Sequence, residues 1–314
     1  MGDTSREISP SVEEEQKRRP WLIDVLIRLA REKPMGTVGA IIVLILLFAG
    51  IFANFLAPYG MNEIHLEDRL EPPSTQYFLG TDNLGRDLFS RIIYGARISM
   101  AVGLGASALS SLVATTIGII SGFFGGKTDI AIQRFVDAWM CFPGLVLYLS
   151  VMAILGPGLI QVICVLGISS GIRSSRVVRS AVIGIKENLY IEAARAIGAP
   201  NIKMLVRHIL PNVMAPIIII LTVAMGAMII SEAMLSFLGF GIPPPTPSWG
   251  GMLSQSGRKY MYEAPWMALW PGLALAIVVW GMNMLGDAVR DLLDPRLRGG
   301  LGRYTGVKRK IPRS

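Results

Sequence analysis

Charged residues leave five long gaps along the chain, and each gap is rich in apolar residues. No Asp, Glu, Lys or Arg occurs in the windows 34–62, 98–126, 138–172, 209–231 and 264–286. A helix of about 20 apolar residues crosses the roughly 30 Å hydrocarbon layer of a bilayer. The window 138–172 is too long for one helix and contains the turn sequence GPG, so it predicts two. The pattern predicts an all-α integral membrane protein with six transmembrane helices, near 36–57, 99–122, 137–156, 159–177, 213–234 and 267–286.

The composition supports a membrane protein. Of the 314 residues, 52% are hydrophobic and only 17% are charged, and the mean hydropathy is +0.52. Soluble domains carry about 25% charged residues, so this chain has too little polar surface to cover six apolar helices in water. The first predicted span follows a polar and amphipathic segment and is not followed by a small-residue cleavage site, so it does not match a cleavable signal peptide.

Lysine and arginine are distributed unequally between the two sides of the predicted membrane. With the amino terminus inside, 24 of the 30 basic residues fall in inner segments and 6 in outer segments. Basic loops stay on the cytoplasmic side, so both termini are predicted to be cytoplasmic. The formal net charge of +8 therefore reflects topology, and the basic carboxyl-terminal tail does not by itself indicate a nucleic-acid partner.

The chain divides into five predicted segments. They are a disordered cytoplasmic tail (1–20), a short interfacial helix with the first span (21–60), an extracytoplasmic segment with an amphipathic helix (61–97), a membrane core (98–290) and a basic cytoplasmic tail (291–314). Leu22, Val25, Leu26 and Leu29 recur at helical spacing in the interfacial helix. In the extracytoplasmic segment, Thr81 or Asp82 is expected to cap the amphipathic helix.

The residues that usually carry catalysis or bind metals are scarce and dispersed. Cys141 and Cys164 lie in predicted spans without a CxxC spacing, and His65 and His208 lie on opposite sides of the membrane. The sequence SGFFGGKT at 121–128 has Ser121 where a phosphate-binding loop requires glycine, and it follows a membrane helix rather than a strand. We therefore expect no enzyme activity, no metal and no cofactor on this chain.

An ordered inner loop, 187–211, joins the predicted fourth and fifth spans within the membrane core. Glu192, Ala193 and Ala194 begin a short helix, and Gly198 and Pro200 interrupt it. A second helix is expected from about residue 201 and leads into the fifth span. Because one face of the loop carries only small residues, it can approach a partner closely; these residues are Ala193, Ala194, Ala196 and Gly198.

This loop resembles the EAA motif of ABC-importer permeases, EAA-x3-G-x9-I-x-LP. The matching positions are Glu192, Ala193, Ala194, Gly198, Leu210 and Pro211. The departure is His208, which stands where the general pattern has isoleucine, as in the variant of the dipeptide/oligopeptide/nickel branch. Other stretches resemble the C-type permease of that branch, and with the first helix the resemblance covers about 21–300: FLGTDNLGRDLFSRIIYGARIS, EAMLSFLGFGIPPPTPSWGGML and GDAVRDLLDPRLRG.

The resemblance implies a fold and a set of partners. It implies a type I ABC importer (MetI-like) permease fold with an interfacial first helix, in the cell inner membrane. It further implies a heterodimer with a B-type permease, two ATPase subunits that use the ATP, and an extracytoplasmic solute-binding protein. The loop at 187–211 would then couple to the ATPases, and the outer segments 58–97 and 235–266 would receive the binding protein. The transported solute would be a dipeptide, an oligopeptide or a related solute such as a nickel chelate.

Glu232 is a carboxylate near the outer end of the predicted fifth span. A charged side chain in the middle of a bilayer costs about 2.5–3.5 kcal/mol on insertion scales. Since Glu232 lies close to the outer loop, it either reaches the aqueous interface or serves as a gate or part of the substrate path. The residues alone leave both interpretations open.

Two other classes of function remain as alternatives. An ion-coupled secondary transporter acting alone predicts carboxylates within the spans and an internal repeat, and neither is evident. A membrane enzyme predicts polar catalytic groups within the spans, where charges are almost absent. Transport by the isolated chain without ATP would favour the secondary transporter.

Overall fold

The computed structural model describes residues 21–293, with side chains for all of these except 21–26 and 255–256. The predicted tail 1–20 and the predicted tail 291–314 beyond residue 293 lie outside the described residues. Between residues 21 and 293 the regular structure is helical, and no strand longer than an isolated bridge occurs. The helices are α1 (Trp21–Glu32), α2 (Pro34–Ile51), α3 (Ala53–Leu56), α4 (Leu88–Phe124), α5 (Gly126–Met140), α6 (Gly144–Leu155), α7 (Leu159–Lys186), α8 (Leu189–Ala196), α9 (Asn201–Met204), α10 (Leu210–Phe237), α11 (Trp249–Leu253), α12 (Gln255–Lys259) and α13 (Trp266–Leu293).

Four helices of the described chain are long and apolar enough to cross a bilayer. They are α2, α4, the continuous helix Asn201–Phe237 and α13. They correspond to the predicted first, second, fifth and sixth spans. The other two predicted spans correspond to α6 and α7, and their crossing of the membrane stays a prediction.

The predicted span 137–156 is wrong in its bounds, because the chain breaks inside it. Helix α5 ends at Met140, α6 begins at Gly144, and the two are bent by 90°. Pro143 causes the break, since its ring occupies the space of a helical carbonyl and it has no amide hydrogen to donate. Helix α6 alone has 12 residues, about 18 Å at 1.5 Å per residue, which is shorter than the hydrocarbon layer.

Helix α7 extends beyond its predicted span, 159–177, to Lys186. Its second half contains Arg173, Arg176 and Arg179, which keeps it from being uniformly apolar. The arginine side chains are only partly exposed because they reach across to α5 and the α5–α6 bend. The helix therefore combines an apolar outer half with a basic inner half.

Helix α4 is the central element of the fold. Its 37 residues extend about 55 Å, so the predicted amphipathic outer helix and the second span form one continuous helix. The predicted caps were wrong: Asp87 is the N-cap residue, and its carboxylate accepts a hydrogen bond from the amide of Ser90 at 2.8 Å. Thr81 and Asp82 instead hold the preceding loop, since the Thr81 hydroxyl donates to the Asp68 carbonyl and Asp82 accepts from the amide of Leu84.

Helices α4 and α7 pack closely because both carry glycine at the contact. A Cβ atom on Gly118 of α4 would lie 2.6 Å from the Val178 Cβ, and one on Gly171 of α7 would lie 2.6 Å from the Val113 Cβ. Neither position has room for a side chain, so the two backbones are in direct contact. Small residues at a helix contact allow this close approach of two backbones.

The apolar core forms three successive clusters along α4. An outer cluster surrounds Leu88 and Trp249, a middle cluster surrounds Val102 and Leu166, and an inner cluster surrounds Phe123. The inner cluster includes buried residues at the base of the inner loop, and the outer cluster includes buried residues of the outer loop. Both predicted functional regions are thus anchored to the same helix from opposite ends.

Helix α1 occupies the position predicted for the interfacial helix. The side chains of Leu22, Val25 and Leu26 lie outside the described residues. Leu29 is buried in a small cluster with Ala288 and Leu292 of α13, so this part of the predicted apolar face packs against protein.

Candidate functional site

The inner loop folds as a helix, a turn and a second helix, as predicted. Helix α8 is anchored by Ile191, which is fully buried. Tyr190 adds a second attachment, because its hydroxyl accepts a hydrogen bond from the Asn212 side chain of α10 at 3.2 Å. The sequence pattern gave no reason to single out Tyr190, because its partner lies in another helix.

The end of α8 is closed by a Schellman motif. The amide of Gly198 donates to the Arg195 carbonyl and the amide of Ala199 donates to the Ala194 carbonyl, both at 3.0 Å. This arrangement requires a left-handed residue, and Gly198 supplies it with a φ of 76°. No heavy atom beyond the chain neighbours lies within 4 Å of a Cβ built there. Within this chain Gly198 is therefore required for its backbone conformation rather than for space.

Leu210 and Pro211 lie in the helix that leads into the membrane. Residues Leu205–Ile209 form a π-helical turn, and the amide of Leu210 donates to the Leu205 carbonyl. Pro211 has no amide hydrogen, which favours such a local rearrangement. Helix α9, this turn and α10 make one continuous helix, Asn201–Phe237, which links the inner loop directly to the outer side.

The six residues of the predicted motif differ in exposure. Glu192, Ala193, Gly198 and Pro211 are exposed, whereas Ala194 and Leu210 are partly buried against the inner core cluster. The two partly buried residues hold the loop to the body of the protein. The exposed residues are the ones available to another molecule.

Several large apolar side chains on this loop are exposed although the loop carries polar and charged neighbours, and three of them are at least three-quarters exposed. Leu189 is 82% exposed, Ile197 85% and Ile202 75%. Glu192 is also exposed and forms no ion pair with any other residue in 21–293. We call Leu189, Glu192, Ile197 and Ile202 the inner docking surface. The prediction from sequence missed its apolar members, since the EAA pattern does not contain them.

A cluster of ionic contacts holds α5 against α4 and α7 on the inner side. The Arg179 guanidinium donates twice to the Asp129 carboxylate, at 2.6 and 2.5 Å. Ser121 also donates to Asp129, and the Gln133 amide donates to Ser121 at 2.9 Å. The sequence SGFFGGKT thus forms the α4–α5 junction, and Ser121 is engaged within the protein.

Glu232 is fully buried in the outer half of α10. The Ser236 hydroxyl donates to its Oε1 atom at 2.6 Å, and its Oε2 atom has no partner among the described residues. The side chain therefore does not reach the aqueous interface, which contradicts that interpretation of the sequence. Its role as a gate or part of the path stays a prediction.

The two predicted outer segments, 58–97 and 235–266, form one surface. The indole N–H of Trp249 donates to the Ile92 carbonyl and that of Trp266 donates to the Thr81 carbonyl, both at 3.1 Å. Within the first segment the Tyr77 hydroxyl donates to the Asp68 carboxylate at 2.6 Å, and this bond raises the pKa of Tyr77 to about 12.

A cavity of about 590 Å³ lies between these segments. Its walls are the beginning of α4, the end of α10, the proline-rich loop 239–248 and the short helices α11 and α12. Pro157, in the turn between α6 and α7, closes one side. We call this space the outer cavity.

Two family models match this sequence. One, described as a binding-protein-dependent transport system inner membrane component, matches residues 114–299. The other, described as the N-terminal TM domain of oligopeptide transport permease C, matches residues 20–73. Together the two matches include both the first span and the inner loop.

Curated relatives cover nearly the whole chain. The dipeptide transport system permease protein DppC of Alkalihalophilus pseudofirmus is 40% identical over 89% of this chain and 91% of its own. The glutathione transport system permease protein GsiD of Escherichia coli is 40% identical over 92% of this chain and 95% of its own.

Solved structures share the fold at low sequence identity. A chain of the MetNI methionine ABC transporter, in an inward-facing conformation, aligns with a TM-score of 0.53 and 18% identity. The alignment covers 65% of this chain and 96% of that chain. At this identity the match describes the fold alone.

Proposed function

This chain belongs to the binding-protein-dependent transport system inner membrane components, and we propose that it forms half of the translocation path of an ATP-driven importer. Family membership confirms that it is a multi-pass membrane permease rather than an enzyme. The MetNI match confirms the predicted all-α fold of a type I importer permease. The proposal concerns how this permease receives energy, which subunits it contacts and what it transports.

The inner docking surface is the observation that carries the proposal. Several large apolar side chains grouped on one short exposed loop are typical of a surface that another protein covers, unlike single exposed apolar residues. Here they lie on a loop whose own backbone is satisfied by the Schellman motif and whose base is fixed by Ile191. The inner docking surface is rigid and apolar, and its Glu192 has no ion-pair partner within residues 21–293. We therefore expect an ATPase subunit, which would use the ATP, to cover this surface.

The continuous helix Asn201–Phe237 offers a route for the movement. Its inner end is joined to α8 through Asn212 and Tyr190, and its outer end, at Ser236 and Phe237, lines the outer cavity. A displacement of α8 by an ATPase would therefore be transmitted as a rigid-body movement of this helix. The permease would switch between inward-facing and outward-facing states.

The remaining partners follow from the same proposal. A B-type permease subunit would supply the other half of the path, two ATPase subunits would bind inside, and a solute-binding protein would dock on the surface formed by 58–97 and 235–266. Both termini would be cytoplasmic, in the cell inner membrane. The relatives named for dipeptides and for glutathione support a di- or oligopeptide, or a related solute, as substrate.

The experiment compares two charge reversals in the complete importer. Glu192→Lys changes the inner docking surface, and Glu32→Lys, at an exposed acid of α1, is the matched control. We expect Glu192→Lys to lower ATPase co-purification and ATP-dependent peptide uptake by about tenfold or more, since a like charge would face whatever group pairs with Glu192. Glu32→Lys should leave both close to the unmodified level.

Two outcomes would contradict the proposal. One is that Glu192→Lys and Glu32→Lys give equal ATPase retention and equal uptake. The other is that the isolated chain in liposomes transports peptide without ATP, which would support the secondary transporter.

A further inference from the structure

The outer cavity has an excess of positive charge. Among its described lining residues, four side chains are ionisable: Asp82, Arg86, Arg91 and Arg258. Three are guanidinium groups, which stay charged at all physiological pH values, and one is a carboxylate. A partly enclosed space with this imbalance attracts anions.

Asp82, the single carboxylate among the described lining residues, already lies against two of the arginines. Arg86 Nε lies 2.7 Å from Asp82 Oδ2, and Arg91 Nε lies 3.7 Å from the same oxygen atom. The three side chains are only 14%, 8% and 6% exposed for Arg86, Arg91 and Asp82. Arg91 turns a further N–H group to the neutral Met61 carbonyl at 3.1 Å. The negative charge of Asp82 therefore neutralises one of the two guanidinium groups, and the three side chains together keep one net positive charge.

Arg258 adds a third guanidinium to the lining of the cavity. It lies in α12, is exposed, and forms no ion pair with another residue of the described range. Arginine presents a planar fork of donors that fits a carboxylate. Arg258 and the Arg86–Arg91 pair thus line the same space from two segments that are far apart in the sequence.

We propose that the outer cavity binds a carboxylate group of the transported solute before it enters the membrane path. This inference rests on the proposed importer function and adds a recognition site for the solute on the permease itself. The volume of about 590 Å³ lies within the range of small-ligand sites, about 300–1,000 Å³. A free peptide carries a carboxylate at its carboxyl terminus, and apolar lining such as Pro243 and Met252 accommodates its side chains.

An acidic side chain of a docked solute-binding protein would also present a carboxylate to the cavity. The free solute is favoured because the cavity is a concave space enclosed by α4, α10 and the proline-rich loop. A small molecule fills such a space more completely than a side chain on a folded protein surface. The experiment below separates the two sources.

The test measures binding of the dipeptide Ala-Ala to the full-length chain in nanodiscs at low ionic strength. The second probe is Ala-Ala amide, which lacks the carboxylate. We expect the amide to bind about tenfold more weakly than Ala-Ala, as for loss of a charge-assisted contact. Arg258→Gln should weaken Ala-Ala binding by about the same factor and should leave binding of the amide unchanged.

Lys259→Gln is the matched control. Lys259 is the next residue in α12 and lies over the Tyr260 ring at 5.2 Å, but it does not line the outer cavity. Removing its charge should change Ala-Ala binding by less than about twofold. An equal effect of Lys259→Gln and Arg258→Gln would show that general surface charge attracts the peptide, and it would overturn the inference.

Two further results would overturn it. The first is equal binding of Ala-Ala and its amide, or no binding of either at millimolar concentration. The second is that Arg258→Gln weakens binding of the solute-binding protein to the complete importer while Ala-Ala binding to the chain stays unchanged, which would assign the arginines to a protein carboxylate. If the chain does not bind Ala-Ala but still supports ATP-driven uptake in the importer, only this inference is contradicted. Equal uptake by the Glu192→Lys and Glu32→Lys variants would contradict the importer function instead.

Discussion

The inner loop and the outer loops of this permease differ in how completely they satisfy their own side chains. In the outer loops, Trp249 and Trp266 are hydrogen-bonded to backbone carbonyls of another segment, and Trp249 is 2% exposed. In the inner loop, Leu189 and Ile197 are more than four-fifths exposed. The two tryptophans tie the outer segments together within the chain, although Tyr262 there is 91% exposed, whereas Leu189 and Ile197 present apolar surface on the inner loop. The difference indicates that the inner loop depends on a partner to cover Leu189 and Ile197.

The largest expected effect is on the outer region. Trp249→Ala removes a buried ring that contacts Gly95 of α4, where a Cβ atom would lie 2.8 Å from the Trp249 Cδ1. We expect the free energy of unfolding to fall by about 3–5 kcal/mol, as for other buried aromatic residues. Thermal unfolding in detergent measures the change. Trp280→Ala, at a tryptophan of α13 that is 52% exposed, should cost much less, and a similar loss at both positions would break the comparison.

Two isoleucines of the inner loop separate anchoring from docking. Ile191 is fully buried and Ile197 is 85% exposed. Ile191→Ala should destabilise the chain by about 2–5 kcal/mol. Ile197→Ala should change stability by less than about 0.5 kcal/mol, yet it should reduce ATPase retention severalfold. The thermal midpoint and ATPase co-purification check the pair. If Ile197→Ala left ATPase retention unchanged, the inner docking surface would lose its main support.

The third substitution changes the backbone conformation of the α8 turn at Gly198 and costs less stability than loss of a buried side chain. Gly198→Val places a β-branched residue at a φ of 76°, which costs about 1–2 kcal/mol for the left-handed conformation. We expect faster hydrogen exchange of the amides at 195–199, a large loss of ATP-dependent uptake, and a thermal midpoint lowered by only a few degrees. Gly184→Val is the control, because Gly184 lies in α7 with equally open space and no left-handed conformation. Equal uptake in the two variants would mean that the conformation of the α8 turn is not required for coupling.

Several features of the protein were accessible from local sequence patterns. Windows without charge located four spans that the structure supports, because a helix in lipid must be apolar over its whole length. Gly198 was accessible too, since a helix end that closes through a left-handed residue favours glycine. The break before α6 is different, because a window defined by the absence of charge does not register the effect of Pro143 on the helix.

Other features depended on residues that are far apart in the chain. Whether an isoleucine of the inner loop is exposed or buried depends only on whether α7 and α10 pack against it. The contact of Asp129 with Arg179 and the fully buried position of Glu232 likewise require helices that pack from different parts of the sequence. No local pattern distinguishes these cases.

The amino-acid sequence by itself determined that the chain crosses a membrane and where along the chain its ordered inner loop lies, and it predicts which side carries the basic loops. These properties follow from local composition, because lipid selects apolar helices and the membrane retains positive charge on one side. Only the tertiary structure decided that α4 joins the inner and outer clusters, that the two outer segments share tryptophan hydrogen bonds, and that three arginines meet in one cavity. Those arrangements are set by packing between distant segments, and packing is a property of the folded chain.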